Sequence, residues 1–316
     1  MTMRNILIGL GAGMATALLF AGLISGTALA FPLFILSPLP IAIAGLGFGT
    51  FAGSAAAAVA SALIGFTIGP LAGGLYLILF AAPVAWAAHL IGLSRPVEGT
   101  PAGRQWFPLD SVLFRASLAV AVAVVIAGFV LGYDPETLIQ ETVKMLQAWL
   151  AQSPSDGMTP TAAEMEPLVR FNIALMPFTS ASLTLGILVL ATWLGGRIAK
   201  MSGLLQREWA PLWTVVLPQQ AALLFGIAFV ASMIPGAPGQ VAGAVAGAIG
   251  FAFALTGFGL LHAVLVGKAA RPLILFLVYA VSFVFLLPLG IMAVVGLVDT
   301  ALQFRARRFA AGSGVS

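Results

Sequence analysis

The sequence predicts an all-α, polytopic helical membrane protein with about 8–10 transmembrane helices and no β-sheet. Three observations carry this. Apolar residues fill 61% of the 316 positions and charged residues only 8%, whereas a soluble domain charges about a quarter of its residues. No Lys, Arg, Asp or Glu lies between Arg4 and Arg95, and further uncharged windows run over 116–133, 171–196, 209–267 and 272–298. A spanning helix needs roughly 20 apolar residues, so each window holds one span or several.

Divided at Pro, Gly and charge, the windows give spans in chain order at 5–28, 33–48, 50–68 and 71–93, then 111–132, 168–196, 212–234 and 240–267. The first has a basic start and Ala28-Leu29-Ala30 as a cleavage-like site. Its apolar run of ~19 residues exceeds the roughly 7–15 of a signal h-region, so it is expected to stay as a membrane helix. The last window, 272–298, would be ~40 Å long as one helix against a core of about 30 Å. It also carries Leu287-Pro288-Leu289-Gly290 in its middle, where a proline removes a helical hydrogen bond.

Charge chooses between one span and two there. With both termini cytoplasmic and two short spans in the last window, 12 of the 14 basic residues lie inside, leaving Lys144 and Arg170 outside. With one span, Arg305, Arg307 and Arg308 move out and the split becomes 9 to 5. The positive-inside rule prefers the first arrangement, giving ten membrane segments in a bacterial inner membrane.

The organisation that follows is a four-helix membrane unit (1–93), a cytoplasmic loop (94–110), a membrane helix (111–132) and an extracytoplasmic acidic helical insertion (133–167). C-terminal membrane helices (168–303) and a basic cytoplasmic tail (304–316) complete it. The insertion carries six acids and, before Arg170, one base. Asp134-Pro135-Glu136 reads as an N-cap, a proline at the first helical position and an acid in the first turn. Leu138, Ile139, Met145, Leu146, Trp149 and Leu150 recur with helical spacing. An amphipathic helix to about 152 follows, broken by Ser153-Pro154. Thr159-Pro160 then caps a second short helix, the whole forming a lid or a gate.

Several function classes drop out. The +4 charge lies in short clusters between apolar segments, as membrane orientation requires, and not in a nucleic-acid-binding patch. Zero cysteines and two histidines exclude disulfides and thiolate chemistry and leave little for a metal site. No phosphate-cradling loop with its Lys and Ser/Thr is present. No intramembrane acid–base pair suggests an enzyme. No cofactor is expected, and the constant partner is the lipid bilayer.

Small residues recur at every fourth position: Gly9, Gly13, Ala17 and Ala21 in the first helix, Gly49, Gly53, Ala57, Ser61, Gly65 and Gly69 along the third, and Gly239, Gly243 and Gly247 in the eighth. Such faces let helix backbones approach closely, within the chain or against another membrane protein. Polar residues inside spans are functional candidates. Gln219 and Gln220, beside Pro218, would contact a solute or satisfy freed carbonyls. Asn172 is a further candidate, and Arg170 would pair with Glu166 or bind an anion. Asp299 is expected to pair with a base in the tail.

Ser37-Pro38-Leu39-Pro40, the Gly45-Leu46-Gly47-Phe48-Gly49 run and Gly69-Pro70-Leu71-Ala72-Gly73-Gly74 resemble the S components of energy-coupling-factor transporters. Over its whole length, with Gly296-Leu297-Val298-Asp299 and Phe304-Arg305 near the end, the chain is similar to the uncharacterised YybS-like membrane proteins. The resemblance implies an S-component-like unit at 1–93 that binds a small molecule for uptake and relies on a membrane coupling subunit for energy. Gly9, Gly13, Ala17 and Ala21 would form the docking face. About four extra helices and the acidic insertion depart from that pattern. The alternative is a non-transporting scaffold for other membrane or envelope proteins.

Overall fold

In hydrocarbon a backbone has no hydrogen-bond partner but itself, so long uncharged segments fold as helices. The structure, a computed structural model, describes residues 3–98, 103–152, 161–285 and 287–305. It is all-α apart from one small hairpin. Helix α1 (Met3–Ala21) runs into a 3₁₀ turn and is followed by α2 (Ala30–Leu36), α3 (Leu39–Phe48), α4 (Thr50–Thr67) and α5 (Pro70–Tyr76). A π-helical turn, Leu77–Ala81, joins α5 to α6 (Ala82–Gly92). Then come α7 (Leu109–Val130), α8 (Pro135–Gln152), α9 (Ala162–Met201) and α10 (Gln219–Ala231). The last three are α11 (Ala237–Val264), α12 (Arg271–Val284) and α13 (Leu287–Leu302). Among the described residues, seven segments are long and apolar enough to cross a membrane, and α10, α12 and α13 are shorter apolar helices.

The expectation of no β-sheet is corrected by β1 (Ser94–Pro96) and β2 (Arg104–Trp106), an antiparallel pair in register Arg95↔Gln105. Arg95 reinforces it by donating from Nε to the Gln105 side chain at 2.8 Å. Strands of three residues are too short to show a period of two in the sequence.

Two other boundaries differ from expectation. The seventh span, expected over 212–234, is helical only from Gln219 to Ala231 after a 3₁₀ turn at Leu212–Thr214. Pro218 pushes the residue before it out of the helical region, so the helix starts after it. Thr159-Pro160, expected to cap a second short helix, lies outside the described residues, and from Ala162 the chain is already in α9. Thr161 and Glu164 form its capping box, and the helix then runs unbroken to Met201. The 153–160 stretch and the tail from 306 onward lie outside the described residues.

Helix α9 survives Pro177 in its interior because its lost hydrogen bond is replaced. Proline removes the N–H that would reach the carbonyl four residues back, here that of Ile173. The Tyr133 hydroxyl donates to that carbonyl at 2.6 Å. Tyr133, between α7 and α8, therefore repairs a helix in another element. Tyr133→Phe is expected to cost about 1–2 kcal/mol. Unfolding in mixed micelles checks this, and a variant as stable as the parent would refute the repair.

The last window is two helices, α12 and α13. The chain is extended at Phe285, and Pro288 takes the second position of α13, where its missing N–H costs nothing. At the far end of α13, Asp299 and Arg305 are 1% and 4% exposed and bonded at 2.6 Å. Arg305 also donates to Trp213 O at 2.6 Å and Thr256 O at 3.0 Å, and its backbone N–H reaches Asp299 Oδ1. The tail base expected for Asp299 is thus Arg305. The pair ties α13 to α11 and to the segment before α10.

Helix α11 is the centre of the C-terminal half, with Ala244, Ala248, Ile249, Ala252 and Phe253 at 0–1% exposure. It packs on α7, α9, α10 and α13. Gly247 lies against the Phe178 backbone of α9, and Ser182 bridges the two helices by donating to both Phe178 O and Gly247 O at 2.9 Å.

Candidate functional site

Small side chains that let helices approach also leave space where no neighbour arrives. A lateral groove of about 570 Å³ runs between α4 and the α5–α6 pair. Its floor is a glycine contact: a Cβ on Gly73 would lie 2.7 Å from the Gly65 backbone. Two adjacent registers of α4 form one wall. Gly65, Ser61 and Ala57 lie deep, while Thr50, Ser54, Ala58 and Ala62 form the exposed rim. From Thr50 to Gly65 the wall is about 22 Å long at 1.5 Å per residue. On the other side the chain carries Pro83 at the second position of α6, directly after the π turn. Such turns are frequent at functional sites.

Ser61 is the polar side chain deepest in the groove. It is 8% exposed, and its hydroxyl has no hydrogen-bond partner. A helical serine or threonine commonly bonds back to a carbonyl of the preceding turn. Thr67, Ser180, Ser182, Thr192 and Ser282 all do so here. Ser61 does not, and an unsatisfied buried hydroxyl costs about 1–3 kcal/mol. Of the described buried polar atoms without a partner (on Asn5, Thr16, Ser61 and Thr300) only that of Ser61 belongs to a residue lining the groove.

One end of the groove is polar. His89 Nδ1 and Thr50 Oγ1 are 2.7 Å apart and bridge α6 to α4, and Trp86 lies one turn away. Beyond Thr50 lies a second cavity of about 90 Å³, shared by Thr50, Gly49, Gln206 and Arg207. Gly49 makes the turn into α4 with φ +95°, where a side chain would be strained. Arg207 Nη1 donates to Phe107 O at 2.7 Å and Ile91 O at 3.4 Å. Burial lowers the Arg207 pKa from its ordinary value, yet an arginine stays charged.

The residues singled out from the sequence are placed as follows. Gly9 and Gly13 face Ala55 and Val59 of α4, and Ala17 packs against the core while Ala21 is exposed. The small face of α1 is therefore turned onto α4. Gly53 meets Gly45 of α3, and Gly243 is in ordinary contact with Pro177. Gln219 and Gln220 are exposed at the start of α10 and do not line the groove. Asn172 is exposed and donates to Leu168 O of its own helix at 2.8 Å.

Arg170 pairs with Glu166 at 2.9 Å and with Glu136 of α8 at 2.5 Å. Together with Ile139 and Val143 packed on Val169 and Ile173, this docks α8 on α9. The Arg170 guanidinium, by hydrogen bond and by charge, holds the Glu136 carboxyl below the ordinary glutamate value. A lowered pKa contributes stability that is full above the ordinary value and is lost as the pH falls through the lowered one. Docking of α8 is expected to loosen in that acid window. The effect is small, because both side chains are exposed. Hydrogen exchange of the α8 amides checks this. Unchanged protection in Glu136→Gln at neutral pH would refute it.

The stripe read from the sequence contained Ser61 but missed the rim. Thr50, Ser54, Ala58 and Ala62, also four apart, stand one position round the helix and were the available signal. Compared with known proteins, the chain matches no family model, no curated protein and no solved structure.

Proposed function

We propose that this multi-helix membrane protein binds a small, largely apolar molecule in the groove between α4 and α5–α6. One observation carries the reading: a buried, unpartnered Ser61 hydroxyl in a groove of ligand-sized volume, about 570 Å³, within the roughly 300–1,000 Å³ of small-molecule sites. The S-component resemblance of residues 1–93 fits such a role, since those proteins bind solutes in the membrane. Uptake by this chain would take its energy from a partner, and the chain is a binding protein rather than an enzyme. A scaffold needs no such groove, which favours binding over that alternative. The proposed setting is a bacterial inner membrane with both termini cytoplasmic, and a C-terminal reporter active only in the cytoplasm tests the orientation.

The groove is tested by filling it from the rim. Ala58 is exposed on α4, so Ala58→Leu adds bulk without disturbing the core. The parent protein released from lipid nanodiscs into a mass spectrometer is expected to carry a small molecule that Ala58→Leu lacks. Equal adduct in the two, or none in the parent, would overturn the proposal.

A further inference from the structure

Resting on that reading, we infer that the ligand is an anionic single-chain amphiphile, its chain in the α4 groove and its head in the cavity beside Arg207. Thr50 lines both spaces. Their shapes and chemistries differ in the way such a molecule requires. The long space is walled by Ala58, Ala62, Gly74 and Leu77, and it is open on the side away from the helix bundle. Its length of about 22 Å exceeds one leaflet of a hydrocarbon core about 30 Å thick, so it accommodates a chain entering sideways from the bilayer. The short space is about 90 Å³, and Gln206 and Arg207 are among the residues that line it.

Arg207 is set up to receive an anion. Among the described residues its hydrogen bonds run only from Nη1 to backbone carbonyls, so Nε and Nη2 keep their donors. No carboxylate pairs with it among the described ion pairs. Guanidinium donors fit carboxylate and phosphate heads, and His89, bonded to Thr50 through Nδ1, keeps Nε2 for the region where head and chain join. Ser61 lies about three turns of α4 beyond Thr50 and lines the groove, where it meets the chain or a polar substituent on it. A membrane lipid bearing one chain and a free fatty acid share this chemistry.

The test uses the full chain in phosphatidylcholine nanodiscs in alkaline buffer, probed with a doxyl-labelled stearic acid, its methyl ester and a doxyl-labelled phosphatidylcholine. Spin resonance reads the motionally restricted fraction of each. The acid is expected to associate about tenfold more strongly than the ester, the scale of a charge-assisted hydrogen bond. The phosphatidylcholine reports ordinary boundary lipid. Ala58→Leu should reduce acid and ester alike, while Arg207→Gln should bring the acid down to the ester and Arg207→Lys should keep part of the difference. Acid and ester bound equally by the parent, both lost in Ala58→Leu, would overturn the anionic head and leave the groove standing. No loss in Ala58→Leu would overturn both. If Arg207→Gln does not fold, the parent's acid-to-ester ratio decides alone. A lysophosphatidic acid outcompeting stearic acid would assign the source to membrane lipid, and the reverse to free fatty acid.

Discussion

Asp299→Ala is expected to destabilise the protein by about 3–5 kcal/mol, the scale for removing one partner of a buried ion pair. The cost comes from what remains. Arg305 is 4% exposed, so without Asp299 its charge is left in a low-dielectric site with only the carbonyls of Trp213 and Thr256 as partners. Arg305→Met strands the carboxylate instead and is expected to cost a similar amount. The double variant Asp299→Leu with Arg305→Met should recover much of the loss, because apolar replacements of a buried pair are often neutral. Recovery stays incomplete, since Trp213 O loses its donor. Denaturation in mixed micelles measures all three. An Asp299→Ala variant within about 0.5 kcal/mol of the parent would sink the clamp, as that is the range of ordinary surface changes.

What the sequence showed of this fold depended on how local the cause was. Uncharged length is a local property, and the seven long apolar segments lie where windows without charge had placed them. The break of the final window into two helices was legible from Pro288 and Gly290 at its middle, while its exact place before Leu287 depends on chain geometry at Phe285. Arg170–Glu166 could be read from helical spacing. Its second partner, Glu136, is 34 residues away and is brought in by the turn at Tyr133 and the docking of α8. The repair of Ile173 O by Tyr133 was invisible for the same reason, since it joins positions 40 apart. The groove was half legible. A stripe of small residues announces close packing, but whether a neighbour fills the space outside it depends on where α5 and α6 end up. Gln219 and Gln220 stand out in the sequence because they lie in an apolar window. The start of α10 at Gln219 instead puts them in the first turn, at the surface.

Where two backbones touch, a single methyl group is the sharpest probe. A Cβ on Gly257 would collide with the backbone carbonyl of Met292, and one on Gly296 would meet the Phe253 carbonyl and come within 2.9 Å of Gly257 N. These are reciprocal contacts between α11 and α13, and backbone atoms cannot rotate away as side chains do. Gly257→Ala must push the helices apart. Overpacking costs about 1–3 kcal/mol and occasionally more, and the upper end is expected here. The same separation would pull Asp299 and Arg305 away from Thr256, so the two effects should couple instead of adding. Gly290, also in α13, has open space around its Cβ position. Gly290→Ala should therefore be neutral or stabilising by about 0.5–1 kcal/mol from helix propensity alone. Equal effects of the two alanines would mean that propensity, and not contact, governs α13. A large loss at Gly257 with none at Gly290 would place the stability of the C-terminal half in the touching backbones of α11 and α13. The Asp299–Arg305 pair can hold its three segments together only while that contact is intact.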